Sequence, residues 1–241
     1  MKINCFSVTF WFNIFEEHSV VLESLQKSFN EEYSKFNVYN YTKNLINPII
    51  TAINNEKRTN ISMSQINLQY NMDKVTFEDY EVFQNKVFKL FEILAENNIT
   101  ILHTSIFVNS ELISENAFKK ITQNTLVNIM QNDDFVDITL KLGKKHEDLF
   151  YKIITILNKK QMKLPKKVDE KGRLIPIPLI SWNNSFVENE IIDISYEIND
   201  KYSYDFTKNY QTTEFNLTKM LFILKDTFKD DINSILEKGQ F

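Results

Sequence analysis

Glycine is scarce in this chain. Gly143, Gly172 and Gly239 are the three present in 241 residues. Loops that cradle phosphate need glycine so that backbone N–H groups can approach the anion, and neither a GxGxxG nor a Walker A motif can be written here. A G-x-S-x-G nucleophile elbow is absent as well. Cysteine occurs once, at Cys5. One thiol cannot close an internal disulfide, which points to a reducing compartment. Histidine occurs three times, at His18, His103 and His146. Zinc sites draw on Cys and His at short spacing, and these four residues are dispersed, so no metal site is expected. No apolar run reaches the ~20 residues that span a bilayer. The N-terminal run holds Asn4, Ser7 and Thr9 and lacks a small-residue cleavage site, so it does not read as a signal peptide. The expected location is the cytoplasm, and no cofactor is expected.

What is present is an ordinary globular composition, 43% hydrophobic and 25% charged, with a net charge of -4. The acidic balance argues against nonspecific binding to nucleic acid or a membrane surface, both of which draw on clustered Lys and Arg. The wealth of Asn, Lys, Ile, Phe and Tyr is what an AT-rich genome encodes.

Periodicity supplies the elements. Phe6, Val8, Phe10 and Phe12 alternate, predicting a strand over Ile3 to Phe12. Leu22, Leu25, Phe29, Tyr33 and Phe36 recur at three and four, predicting a helix from Ser19 to Phe36. Pro48 to Ile53 and Ile61 to Tyr70 read as strands joined by a polar turn. Thr76 with Asp79 has the form of a capping box, and a wide apolar stripe from Tyr80 to Leu94 follows it. Ile99 to Val108 is a further strand. The order β-α-β-β-α-β predicts a ferredoxin-like unit over residues 1–110.

Residues 111–241 predict a second α+β half, or a continuation of one domain. A helix is expected over 114–130, then a hairpin around Gly143 made of Phe135 to Leu142 and Leu149 to Leu157. The second arm of that hairpin reads equally as a helix. Phe186 to Ile198 predicts a long strand in a second antiparallel sheet. Leu217, Leu221, Leu224, Phe228, Ile232 and Ile235 predict a long C-terminal helix over Thr213 to Lys238, stopped by Gly239. No internal repeat stands out.

Candidate chemistry is thin. The triplet Asp169-Glu170-Lys171 has the form used by metal-dependent nucleases, but it falls in a polar linker. Asp133-Asp134 and the group Asp226, Asp230 and Asp231 read as solvated charge. Cys5 reads as a core thiol and the histidines as ordinary polar positions. The most concentrated feature is the run Lys159, Lys160, Lys163, Lys166, Lys167, Lys171 and Arg173. It suits phosphate or an acidic protein partner, yet lacks the interleaved aromatics of single-strand binders. Trp182 follows a Pro-containing extended stretch and is either an interface anchor or the lid of a core.

Two features carry a resemblance. One is the segment Ile191-Ile192-Asp193-Ile194, followed by a long helix ending in Leu224-Lys225-Asp226-Thr227-Phe228-Lys229-Asp230. The other is the opening strand-then-helix unit with the mid-chain strand end Phe107-Val108-Asn109. Together they resemble a sporadically distributed family of uncharacterised bacterial proteins. The proline pair before that family's first strand is missing here. Patchy distribution implies a mobile or conflict-related role, such as defence, counter-defence or toxin neutralisation. The expected function is therefore a non-enzymatic interaction or regulatory protein with a protein partner or a second copy of itself. The runner-up is a nucleic-acid-binding or RNA-processing protein of the tandem ferredoxin-like type, working through the 159–173 basic loop. Such proteins resemble the CRISPR RNA-processing endonucleases, whose C-terminal glycine-rich loop has no counterpart in this chain.

Overall fold

The computed structural model describes residues 2–114, 137–146, 149–158 and 190–238. Among them the chain forms β1 (Lys2–Phe12), α1 (His18–Phe29), β2 (Phe36–Val38), β3 (Ile50–Asn54), β4 (Thr59–Met63) and β5 (Asn67–Asp73). A short 3-10 turn (Phe77–Asp79) leads into α2 (Tyr80–Glu96). Then come β6 (Ile101–Ser114), β7 (Asp137–His146), β8 (Leu149–Asn158), β9 (Glu190–Asn199), α3 (Lys201–Phe206) and α4 (Glu214–Lys238). The helix expected over 114–130 and the stop at Gly239 lie outside the described residues.

All the strands join one antiparallel sheet in the order β2-β3-β4-β5-β1-β6-β9-β8-β7. This corrects two expectations. A ferredoxin-like unit has the order β-α-β-β-α-β, with one hairpin between its two helices. Here β1 lies between β5 and β6 and is antiparallel to both, and the departure from that order is in the segment between α1 and α2. Four strands rather than two separate α1 from α2: β2 begins at Phe36, the end of the run read as helix, and the run read as Ile61 to Tyr70 is broken. Ser64 Oγ accepts from the N–H groups of Ile66 and Asn67, and Ser64 N donates back to Asn67 O at 2.8 Å. That serine turn separates β4 from β5 within an apolar pattern that runs on through it. Nor do the described strands make a second sheet: β6 pairs with β1 on one side and β9 on the other, and the residue 110/111 boundary falls inside β6.

The strand order contains a repeat that the residues do not advertise. β1 is followed by a meander that ends with β5 beside it, and then by α2. β6 is followed by a meander that ends with β9 beside it, and then by α4. The two units meet at the β1–β6 pair.

Other boundaries moved for local reasons. α1 stops at Phe29 because the chain turns there, with Glu32 N and Tyr33 N both donating to Phe29 O. Tyr33 and Phe36 continue the helical spacing only because they pack on each other, ring centroids 5.7 Å apart, from a turn and from β2. The 149–157 segment is a strand, and Gly143 is not at the hairpin tip but inside β7, opposite Lys152. The capping box is formed, Thr76 N donating to Asp79 Oδ2 at 2.8 Å. With glycine so rare, left-handed backbone falls to Arg58, Lys74, Asn98 and Asn209. Two of these are asparagine, which tolerates that region best among residues with a Cβ.

The core sits between the sheet and α1, α2 and α4. Phe83 of α2 stacks on Phe6 at 5.3 Å and on Tyr70 at 6.1 Å. Phe228 of α4 meets Tyr196 edge-on at 5.5 Å. Tyr80 Oη donates to Leu221 O at 2.5 Å, tying α2 to α4. Glu32 is a buried charged group on this side: it pairs with Lys86 and accepts from Thr59 Oγ1 at 2.9 Å. Among the described residues no helix is long and apolar enough to cross a membrane.

Candidate functional site

The opposite face of the sheet is built from the alternate residues of the same strands. Strand pairing sets them in rows. Ser62, Gln69, Thr9, Ser105 and Asn199 fall in line across β4, β5, β1, β6 and β9. Asn60, Asn71, Ser7, Phe107 and Glu197 make the adjacent row. Amides within the rows are linked, with Asn71 Nδ2 donating to Asn60 Oδ1 at 2.8 Å and Gln69 Nε2 donating to Asn71 Oδ1 at 3.1 Å. Among the described helices only α3 lies against this face.

An open groove of about 660 Å³ runs across it. Thr9, Trp11, Ser62, Asn67, Gln69, His103, Ser105, Phe107 and Glu197 form its floor, with Lys201 at one end and Ile46 and Pro48 at the other. A smaller hollow of about 340 Å³ continues past Glu197 and Lys201 to Phe150, Tyr202 and Asp205.

Pairing across β1 and β6 places Trp11 opposite His103. The two rings stack at 5.6 Å, and Tyr204 of α3 approaches the imidazole at 5.5 Å. Burial between these rings lowers the His103 pKa to about 4; nearby Lys201 adds to the effect and Asp205 opposes it. The imidazole is therefore neutral near pH 7. Its Nδ1 is buried without a hydrogen-bond partner.

Asp200 anchors the α3 end of the groove. Its carboxylate accepts from Thr104 N at 2.6 Å, Thr212 Oγ1 at 2.7 Å and Tyr210 Oη at 2.9 Å. Burial raises its pKa against the pull of those bonds. The group is fully enclosed, so it fixes the turn from β9 into α3 and is not presented to a ligand. Aromatic side chains extend beyond it: Tyr202 and Phe206 pack at 4.4 Å, and Lys145 Nζ lies 4.2 Å over the Tyr202 ring.

Of the residues singled out by sequence, Trp11 and His103 line this groove. Lys159, Lys160, Lys163, Lys166, Lys167, Lys171, Arg173 and Trp182 lie outside the described residues, as do Asp133-Asp134 and Asp169-Glu170. Cys5 is on the open face, half-buried, and is not the core thiol expected. Its pKa is pushed up to about 12, by burial first and then by the Asp73 carboxylate. A thiol so held is no nucleophile at neutral pH. His18 is enclosed at the start of α1. Its Nδ1 is 3.0 Å from Glu16 O and 2.5 Å from Tyr41 Oη. Asp231 accepts from Tyr196 Oη at 2.8 Å, a structural bond on the helix side. Among the described residues no three His, Cys, Asp or Glu side chains converge as metal ligands.

Sequence reading missed Gln69, Asn67, Phe107, Glu197 and the aromatics of α3. The signal for most of them was there in the same alternation that found the core. Polar residues between the apolar ones define the second face as surely as the apolar ones define the first.

No protein-family model matches the chain, and no curated protein matches it. Among solved structures, Methanococcus jannaschii TBP aligns at 11% identity over 95% of this chain and 98% of that one, with a TM-score of 0.29. A likeness that faint carries no argument about fold or ligand.

Proposed function

We propose that the protein is a non-enzymatic interaction protein whose working surface is the open face of the sheet, and that its partner is a protein. The observation that supports this most directly is the make-up of the groove. It is broad, open and lined by uncharged amides and hydroxyls around Trp11 and Phe107, with one acid and one base. Partly exposed aromatic rings in a polar setting are what recognition surfaces use as anchors. Nothing in the groove combines a nucleophile, a base within reach of it and a set of oxyanion donors. The defence or counter-defence setting implied by the sequence resemblance belongs to the same proposal.

The test is a partner-capture experiment with paired surface variants. Gln69→Arg and Ser62→Arg each put a long cation on the groove floor without touching the covered face. Loss of the captured partner in both, with an unchanged melting temperature, supports the reading. Efficient turnover of RNA, DNA or a nucleotide by the pure protein overturns it. A gel shift at moderate and high salt addresses nucleic acid, because phosphate contacts give a steep salt slope.

A further inference from the structure

We infer that the groove on the open face is a binding site for a short neutral oligosaccharide. The inference rests on the open face being the working surface and names a ligand which that surface takes, whether or not a protein partner also docks there.

The lining sets aside the other ligand classes in turn. A phosphate-bearing ligand needs several cations, but among the described residues of the groove Lys201 is the one Lys or Arg, Glu197 opposes it, and His103 is neutral near pH 7. An apolar ligand would strip water from the partly exposed hydroxyl of Ser62 and the amides of Asn67 and Gln69 with nothing in return. An extended peptide commonly adds as a strand to a sheet edge. The floor strands β4, β5, β1, β6 and β9 are each paired on both sides, so they offer no edge.

What fits is a ligand without charge, dense in hydroxyls, and with apolar C–H faces. A hydroxyl both donates and accepts, so it answers the amide N–H and C=O groups of Asn67 and Gln69 as well as the serine and threonine hydroxyls. The C–H face of a sugar ring can lie on the half-exposed rings of Trp11 and Phe107, as apolar groups do on aromatic faces. The volume of about 660 Å³ is within the usual small-ligand range of roughly 300–1,000 Å³.

The experiment is calorimetric titration of the intact protein with maltohexaose, cellohexaose and chitohexaose, with an oligothymidylate in parallel. The expected result is saturable binding of at least one hexasaccharide, with a dissociation constant at or below about 1 mM. Gln69→Ala and Trp11→Ala are each expected to weaken it at least about tenfold. Gln69 lies at the surface of a paired strand, so its variant keeps the test decisive if Trp11→Ala folds poorly. No saturable binding of any of the three sugars up to about 10 mM overturns the inference. So does binding undiminished in Gln69→Ala, or an oligothymidylate that binds and is displaced by none of the sugars. If the sugars fail while Gln69→Arg still abolishes partner capture, the docking reading stands alone. If the sugars bind and partner capture ignores Gln69→Arg, the docking reading is the one that falls.

Discussion

Along β1, Phe6, Val8, Phe10 and Phe12 go under the helices, and Ser7, Thr9 and Trp11, one residue away, look out on the other side. The same strands thus carry two surfaces with different work. The covered face is aromatic and closed, with Phe6, Tyr70, Phe83 and Tyr196 each less than 2% exposed. The open face is made of amides and hydroxyls bonded to one another across strands. Hydrophobic burial accounts for the first, while the second is held by hydrogen bonds between its own side chains and by the packing of Trp11 on His103.

The sharpest way to break this comparison is to cut into the covered face. Phe83→Ala removes a ring enclosed between Phe6 and Tyr70 and is expected to cost about 3–5 kcal/mol. Chemical denaturation measures it. A cost below about 1 kcal/mol would mean that the core does not depend on this contact.

Glu32→Ala tests the one buried ion pair on that side. It leaves Lys86 and the Thr59 hydroxyl without their acceptor, an expected loss of roughly 3 kcal/mol. The double variant Glu32→Leu with Lys86→Met should recover much of that, because the penalty comes from an unpaired charge rather than from a lost attraction.

His103 joins the two surfaces, since it lies on the open face yet is enclosed by rings. Its folded-state pKa, about 4, is below the ordinary 6.5. The unfolded chain therefore binds the proton first as pH falls, and stability that is full above about 6.5 declines through the window down to about 4. Melting temperature against pH should show this decline shrink in His103→Gln. An identical profile in the variant would remove His103 as its source. The imidazole retains some solvent access, which limits the size of the effect.

How much of this was legible beforehand depends on what each residue's neighbours in sequence reveal. The apolar alternation of β1 and the stripes of α2 and α4 located the core, because periodicity reports which side a residue takes. Strand partners were not legible. Ser64 breaks one apolar run into two strands through a side-chain bond, and a four-strand meander then brings β5 rather than β3 beside β1. That turn and the extra edge strand β2 separate the observed sheet from a ferredoxin-like unit. The groove was legible only in fragments, since Trp11, Gln69 and His103 are neighbours through pairing and not through spacing. The α3 aromatics have no periodic signal, because a six-residue helix is too short to show one.

The smallest expected effect on stability is also the one that says most about the two faces. Gln69→Ala deletes an amide that donates to Asn71 and lines the groove. Half-exposed polar residues of this kind usually change stability by no more than about 0.5 kcal/mol. Denaturation of this variant should therefore overlay the parent, whereas ligand binding in the groove should weaken. If Gln69→Ala instead destabilises by more than about 2 kcal/mol, the amide rows hold the sheet together. The open face would then be a second structural surface rather than a free one. The contrast between the faces turns on that single measurement, because both readings of function require that the polar rows be dispensable to the fold.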